Sequence, residues 1–333
     1  MISLAEDALV DAERVAIEVD IGSSRGTMAA EPLRRAAESP VRVRLLGSVS
    51  IEAEGQPAVD LPAKALELLC YVLVHRDRAH TREALSALLW PEASPSLARK
   101  YLRQALWQLQ SVQVVQLLRL TPGWIRLAPD GWWLDIETFE RAWETSRDVS
   151  GALMGDADAG ALEAAVELYR GDLIETLYSD WCIYERDRLQ LVYLAMLEKL
   201  MGYCEHHQRY PQGIAYGQRI LRYDPAREIT HQHLMRLHYG AGDRTTALRQ
   251  FDRCAEALRR EFGLAPAPQT LALRDQLRAD RVGVAARPVE PDGGGLVELS
   301  RCLDQLQDSL LLLRQHVALV LNTGPSDVPR DGA

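Results

Sequence analysis

The sequence predicts a mainly α-helical protein with a small α+β domain near its N-terminus. Three patterns support this class: an amphipathic segment at 94–112 flanked by short alternating stretches, a 34-residue repeat within 161–279, and a leucine heptad at 296–321. Because side chains three and four positions apart share one face of a helix, all three patterns favour helices.

Changes in composition divide the 333 residues into six segments. We predict a poorly ordered segment, an α+β domain, a helical domain, a Pro/Gly linker, an amphipathic helix and a polar tail, over 1–40, 41–130, 131–280, 281–295, 296–321 and 322–333. The region before Met28 reads as dispensable, so translation could start at Met1 or at Met28.

The segment SPSLARKYLRQALWQLQSV (94–112) is predicted to be a helix with two unlike faces. Ser94 suits the N-cap and Pro95 the first helical position, where the missing N–H of proline costs nothing. One face is apolar: Ala98, Tyr101, Leu102, Ala105, Leu106 and Leu109. The other has cations, amides and an indole but no carboxylate: Ser96, Arg99, Lys100, Arg103, Gln104, Trp107 and Gln110.

The polar face of this helix suits the major groove of DNA. Arg and Lys can bind phosphate or guanine, and Gln can pair with adenine. A solvated helix face is the alternative, but such faces usually mix Glu with Lys. Residues 41–130 contain eleven Lys/Arg and eight Asp/Glu, although the whole chain has a net charge of −9. This uneven distribution favours a nucleic-acid ligand for the α+β domain.

Short strands and two more helices precede the amphipathic segment. VRVRLLGSVSIEA (41–53) alternates apolar and polar residues and is predicted to form two strands, with a third at 58–61. Pro62 opens a Leu-rich helix, and Thr81 caps a second helix, REALSALLW.

A predicted β-hairpin follows the amphipathic segment. Its strands, 116–120 and 124–127, are joined through Thr121-Pro122-Gly123. Strands, three helices and a hairpin make a winged helix, in which the third helix enters the groove and the wing reaches flanking DNA. Trp124 and Arg126 lie on that wing, although the wing's own core is an equally good position for Trp124.

These motifs, in this order, resemble the OmpR-type winged helix of the antibiotic regulatory protein (SARP) family. The resemblance implies that the third helix reads DNA through Arg99, Lys100, Arg103, Gln104 and Trp107, and that Thr81 and Arg82 contact phosphate. It further implies binding to direct repeats near the −35 region and recruitment of RNA polymerase. Trp107 is a departure from the plain family pattern.

Residues 161–279 are predicted to be almost wholly helical, after a loop at 151–160. Leu200-Met201 recurs as Leu234-Met235 and Gly213-Ile214 as Ala247-Leu248, each after 34 residues, the period of tetratricopeptide (TPR) helix pairs. Such pairs stack into a concave surface for a protein or a small ligand. The stretches ELYRGDLIETLYSDWCIYERDRLQ and LMRLHYGAGDRTTALRQFDRC resemble the bacterial transcriptional activator domain (BTAD), which follows the winged helix in SARP regulators.

The last predicted helix contains a heptad seam typical of a coiled coil. The seam positions are Leu296, Leu299, Leu303, Leu306, Leu310, Leu313, Val317 and Val320. We interpret this helix as a homodimerisation element. Four further leucines widen its apolar surface, so docking onto the helical repeats is the alternative: Leu311, Leu312, Leu319 and Leu321.

No motif favours catalysis, a cofactor or a metal. The chain contains no GxxxxGK[ST] phosphate loop, and its five cysteines are widely spaced without a CxxC pair. His231-x-His233 places the two rings on diverging helix faces, which argues against zinc. The N-terminus lacks the pattern of a signal peptide, and no apolar run is long enough to span a membrane, so we predict a cytoplasmic protein.

The sequence thus predicts a promoter-binding transcriptional regulator that is not an enzyme. Activation is the favoured direction, with double-stranded DNA, RNA polymerase and a second copy of the chain as partners. The alternative is a TPR-type scaffold or ligand sensor whose winged helix makes protein contacts.

Overall fold

The computed structural model describes residues 39, 41–53, 56–57, 61–110 and 116–280. Most of the predicted N-terminal segment, the linker, the polar tail and the heptad positions lie outside the described residues: Leu296, Leu299, Leu303, Leu306, Leu310, Leu313, Val317 and Val320. The described part is mainly helical, which confirms the predicted fold class at that level.

Residues 41–134 form an N-terminal unit that combines short strands with three helices. In chain order these are β1 (Val41–Arg44), β2 (Ser50–Ala53), β3 (Gln56–Pro57), α1 (Ala63–Val74), β4 (His80–Thr81), α2 (Arg82–Leu89), α3 (Pro95–Gln110), β5 (Leu118–Leu120), β6 (Trp124–Leu127) and β7 (Trp132–Leu134).

The helical part follows at 135–280. Its elements are α4 (Asp135–Ser146), a 3₁₀ turn (Gly151–Leu153), α5 (Asp156–Leu168), α6 (Asp180–His206), α7 (Tyr210–Tyr223), α8 (Glu228–Gly240), α9 (Arg244–Phe262) and α10 (Pro268–Arg278).

The first sheet has the strand order β3-β2-β1-β7. β1 pairs antiparallel with β2 and parallel with β7. Because α4 follows β7 directly, this pairing places the start of α4 next to β1. A strand, β3, lies at Gln56–Pro57, and the strand predicted at 58–61 falls, except for its last residue, outside the described residues. β3 pairs antiparallel with β2, with Ala53 opposite Gln56 and Glu52 opposite Pro57.

Asp135 is the first residue of α4, and Leu134 is the N-cap of this helix. Its side chain is buried, and Oδ2 accepts hydrogen bonds from the backbone N–H groups of Leu45 (2.8 Å) and Leu46 (2.9 Å). Burial raises the pKa of Asp135 to about 6, against the opposing effect of these hydrogen bonds. The carboxyl group therefore joins the end of β1 to the start of the helical part.

In the N-terminal unit, α2 and α3 pack against α1, most of whose residues are buried. Thr81 Oγ1 accepts a hydrogen bond from the Ala84 N–H (3.1 Å), which is N-cap geometry for α2. α3 buries the stripe Ala98, Leu102, Ala105, Leu106 and Leu109. Tyr101, predicted on that face, is instead 36% exposed, and its ring centroid lies 6.0 Å from that of Trp90.

Two predicted boundaries in the helical part are wrong. The expected loop at 151–160 contains the first turn of α5, where Asp156 and Asp158 favour a helix N-terminus. Within 161–279, which the sequence predicts to be almost wholly helical, the first helix ends at Leu168. The chain instead forms a loop held by the Arg186 side chain, which donates hydrogen bonds to the carbonyl groups of Leu173 (2.7 Å) and Leu177 (2.5 Å).

The later helices form two antiparallel hairpins, α6–α7 and α8–α9, that repeat after 34 residues. α7 and α9 begin at Tyr210 and Arg244, as the recurring residue pairs predict. Gly213 lies at a close crossing, since a Cβ there would be 2.9 Å from Leu237 Cδ2 and 3.0 Å from Cys204 Cβ. A larger side chain at this position would separate the two hairpins.

The N-terminal unit and the helical part share a polar and aromatic junction. Glu140 of α4 accepts hydrogen bonds from Arg76, just after α1 (2.5 Å), and from Arg188 of α6. The Tyr71 and Trp181 rings meet edge to face at 5.1 Å, which joins α1 to α6 directly. Side chains of the N-terminal unit and of the helical part therefore hold the two parts together.

Candidate nucleic-acid interface

The polar face of α3 is exposed along its whole length. All seven residues of this face are open to solvent, and Trp107 is 66% exposed: Ser96, Arg99, Lys100, Arg103, Gln104, Trp107 and Gln110. Within the described part of the chain, none of its three cations forms an ion pair or a hydrogen bond. The apolar stripe on the opposite side holds α3 against α1 and α2, so the cations project from a fixed helix.

The hairpin β5–β6 has an inner apolar face and an outer polar face. Ile125 and Leu127 are buried, whereas Trp124 and Arg126 are exposed, with Trp124 open to solvent over 51% of its surface. Trp124 therefore does not lie in the core of the wing, which was the alternative position predicted for it. The turn is closed by Thr121, whose Oγ1 accepts a hydrogen bond from the Trp124 N–H (3.1 Å).

Thr81 and Arg82 lie where α2 meets the hairpin turn. Thr81 Oγ1 is engaged in capping α2, as described above. Arg82 donates from Nε (3.2 Å) and Nη2 (3.1 Å) to the carbonyl oxygen of Thr121, and its own N–H donates to Gly123 O (3.3 Å). Both side chains thus make contacts that order the hairpin, in addition to any contact with DNA phosphate.

These contacts bring the predicted site residues into one structural unit. β4 pairs with β6, placing Thr81 opposite Trp124, and α2 packs directly against α3. The exposed cations of α3 and of the hairpin are therefore supported by the same small core. This surface presents guanidinium, ammonium, amide and indole groups. Cationic and amide groups of this kind bind phosphate and base edges.

Arg119 of β5 also belongs to this surface, although it was not among the predicted site residues. It is exposed and lies directly opposite Arg126 in the hairpin. The alternation of LRL and WIRL, with the two arginines at matching positions of the strands, could have identified the pair. The inward-facing leucines would have indicated which face is exposed.

The thiols and imidazoles of the helical part are engaged in packing. Burial raises the pKa of the Cys182 and Cys204 thiols to about 11, and that of Cys254 to about 12. His231 is buried between Pro225 O (2.9 Å) and the Gln250 amide (2.8 Å). Among the described residues, no three His, Cys, Asp or Glu side chains are grouped so that they could hold a metal ion.

A shallow concavity of about 460 Å³ lies where α9 turns toward α10. Ala255, Leu264 and Pro266 contribute apolar surface to it, and Asp252 and Glu256 contribute acidic groups. It is a feature of the helical part and lies on elements other than α3 and the hairpin. Separately, none of the helices within the described ranges has the length and apolar character needed to cross a bilayer.

Comparison with known proteins places the helical part in a defined domain family. Residues 134–278 match the family model of the bacterial transcriptional activator domain. The structure is similar to that of Mycobacterium tuberculosis EmbR, solved in complex with a low-affinity phosphopeptide. The similarity has a TM-score of 0.55 at 21% sequence identity, and covers 73% of this chain and 66% of the EmbR chain. No curated protein sequence gives a significant match. The chain therefore contains a bacterial transcriptional activator domain in its helical part and shares the fold of EmbR.

Proposed function

We propose that this chain is a sequence-specific DNA-binding transcriptional regulator of the SARP type, acting as an activator. Its N-terminal unit would serve as an OmpR-type winged helix, with α3 as the recognition helix and β5–β6 as the wing. The observation that supports this most is the acid-free exposed face of α3, whose Arg99, Lys100 and Arg103 have no ionic partner in the described residues.

In this proposal α3 lies in the major groove and the hairpin contacts the adjacent backbone. Arg103 and Gln104 lie midway along the exposed face, where a side chain reaches base edges, and Arg99 and Lys100 precede them by one turn. Arginine binds guanine in a bidentate manner and glutamine binds adenine, so these residue types can distinguish base pairs. The remaining cations would bind phosphate, which positions the protein without reading sequence.

Two observations from the comparisons support this proposal. A bacterial transcriptional activator domain occupies residues 134–278. In addition, the structure is similar to that of EmbR over 73% of this chain. Transcriptional regulation in the cytoplasm, without catalysis or a cofactor, is the function we infer for the whole chain.

The partners proposed for the helical part are RNA polymerase and a protein or small-molecule ligand. The α6–α7 and α8–α9 hairpins would act as TPR-like units, whose stacking exposes a continuous surface. EmbR was solved with a phosphopeptide, so a peptide is one ligand class to test against this chain.

The proposal includes a homodimer formed through the heptad at 296–321, which would bring two DNA-binding units to neighbouring half-sites. Deleting 296–321 should then change a dimer into a monomer in multi-angle light scattering. An unchanged molar mass would reject the heptad as the dimerisation element.

A gel-shift experiment tests the proposed function directly. The full chain is incubated at physiological salt with labelled DNA from upstream of its own gene, against a random-sequence competitor of equal length. We expect a retarded complex that resists the competitor, and selection from a random DNA pool would then give the operator. Binding no stronger than to the competitor would favour the second candidate, a TPR-type scaffold, which the 34-residue helical repeat supports.

A further inference from the structure

The hairpin β5–β6 places two arginines directly opposite each other. Its antiparallel register pairs Arg119 with Arg126, Leu118 with Leu127 and Leu120 with Ile125. Both arginines are exposed, and within the described residues neither forms an ion pair or a hydrogen bond. No acidic residue occurs anywhere between 95 and 129, so the neighbouring sequence offers these guanidinium groups no local carboxylate.

In the other sheet of the same unit, an arginine at an equivalent cross-strand position faces a carboxylate. There Arg42 lies opposite Glu52 across β1–β2, and the two side chains form an ion pair at 3.1 Å. Arg44 also binds Glu52, at 2.9 Å. Directly opposed side chains in an antiparallel pair interact, and like charges there destabilise the sheet. The Arg119–Arg126 pair is therefore unfavourable to the isolated hairpin unless an anion lies between the two side chains.

We infer that Arg119 and Arg126 together bind one phosphate group of the DNA backbone. This inference rests on the proposed function and adds a residue and a ligand group to it. The Cβ atoms of directly opposed residues are about 5 Å apart. Two guanidinium groups at that spacing can donate to different oxygens of one phosphate, and each can do so with two N–H groups. The contact holds the wing on the backbone and reads no base.

The experiment measures binding to a short random-sequence duplex by fluorescence anisotropy over a series of salt concentrations. Arg119→Gln and Arg126→Gln should each reduce the slope of log K against log salt concentration by clearly less than about 0.9, the value for one phosphate, because the remaining guanidinium group still neutralises that phosphate. The double variant should reduce the slope by about 0.9, because both side chains hold the same phosphate and the contact is lost only when both are removed. Arg42→Gln, a strand arginine opposite a carboxylate, is the matched control and should leave the slope unchanged.

A second variant separates binding from folding. Arg119→Glu places a carboxylate opposite Arg126, so its thermal midpoint should equal or exceed that of the wild type while its affinity for the duplex falls. An unchanged slope in the double Gln variant would overturn the inference, and a reduction of about 1.8 in that variant, the value for two phosphates, would overturn the shared phosphate. A wild-type chain that binds no duplex at any salt concentration would overturn the proposed function as well, so the two failures are distinguishable.

Discussion

The cations on α3 and the hairpin differ from the arginines of the helical part in their partners. In the helical part, several arginines are paired with carboxylates: Arg188, Arg219, Arg227, Arg236, Arg259 and Arg274. On α3 and the hairpin, five cations have no such partner among the described residues: Arg99, Lys100, Arg103, Arg119 and Arg126.

This difference separates charges that hold the fold together from charges that are available to a ligand. Glu205, for example, accepts hydrogen bonds from His233 of α8 (2.7 Å) and from Arg236 (2.7 Å), so it joins two helices. A free, solvated cation contributes little to stability, but it requires no displacement of a carboxylate before it binds phosphate. We therefore expect substitutions of the paired arginines to affect mainly folding, and substitutions of the unpaired cations on α3 and the hairpin to affect mainly DNA binding.

The largest effect is expected from Glu140→Ala at the junction of the two parts. The change leaves Arg76 and Arg188, which are only 14% and 29% exposed, without their shared carboxylate. Removing one partner of a largely buried pair should lower the free energy of unfolding by about 3 kcal/mol. Urea denaturation followed by circular dichroism measures this. A loss below about 0.5 kcal/mol would contradict the structural role of the pair.

Asp135 tests the effect of burying a carboxyl group whose hydrogen bonds come from backbone N–H groups. Because its folded-state pKa of about 6 lies above the ordinary value of 3.8, the folded protein takes up a proton more readily than the unfolded chain. Asp135 therefore favours folding below about pH 4, and that contribution is lost as the pH rises through about 6.

Asp135→Asn removes this titration. Its free energy of unfolding relative to the wild type should rise by about 2 to 3 kcal/mol between pH 4 and pH 7. Urea denaturation of both proteins over this range gives the difference directly, since the other titrating groups are common to the two. A difference that does not change with pH would show that burial does not raise the pKa of this carboxyl group.

Local patterns were sufficient to predict the two faces of α3, the hairpin and the 34-residue spacing of the helical hairpins. Each of these depends on side chains within a few positions of one another or on a repeated unit. The hydrogen-bond partners of the Asp135 and Arg82 side chains could not be predicted in the same way. Asp135 bonds to Leu45, 90 residues earlier, and Arg82 bonds to a carbonyl group 39 residues later. Local propensity carries no information about such distant partners.

The sequence was least informative about the break between α5 and α6. The segment before Asp180 contains good helix formers, but the loop instead pairs with the end of β1, where Ile174 N–H donates to Leu45 O (2.8 Å). Gly47 N–H donates to Asp172 O (3.0 Å) in the same way. Tertiary hydrogen bonds of this kind override helical propensity, which is a weak local preference.

Arg103→Ala tests the unpaired group. If Arg103 contacts a base, specific binding should weaken by about 1 to 3 kcal/mol, while binding to random DNA changes much less. The free energy of unfolding should stay within about 0.5 kcal/mol of the wild type, because the side chain is exposed and unpaired. Titration of the selected operator and of a random duplex gives both affinities. Equal affinity of variant and wild type for the operator would remove Arg103 from the interface.

The smallest effect is expected from Arg259→Ala in the helical part, which tests whether pairing alone is enough to stabilise. Arg259 and its partner Glu256 are 73% and 59% exposed, whereas Arg227 and Glu198 are 26% and 16% exposed. An exposed pair is screened by water and salt, so Arg259→Ala should change the free energy of unfolding by less than about 0.5 kcal/mol. Arg227→Ala, the matched substitution in a half-buried pair between α6 and α8, should cost more. Equal losses in the two variants would mean that burial does not set the strength of these pairs, and the distinction between structural and available cations would then have to rest on DNA binding alone.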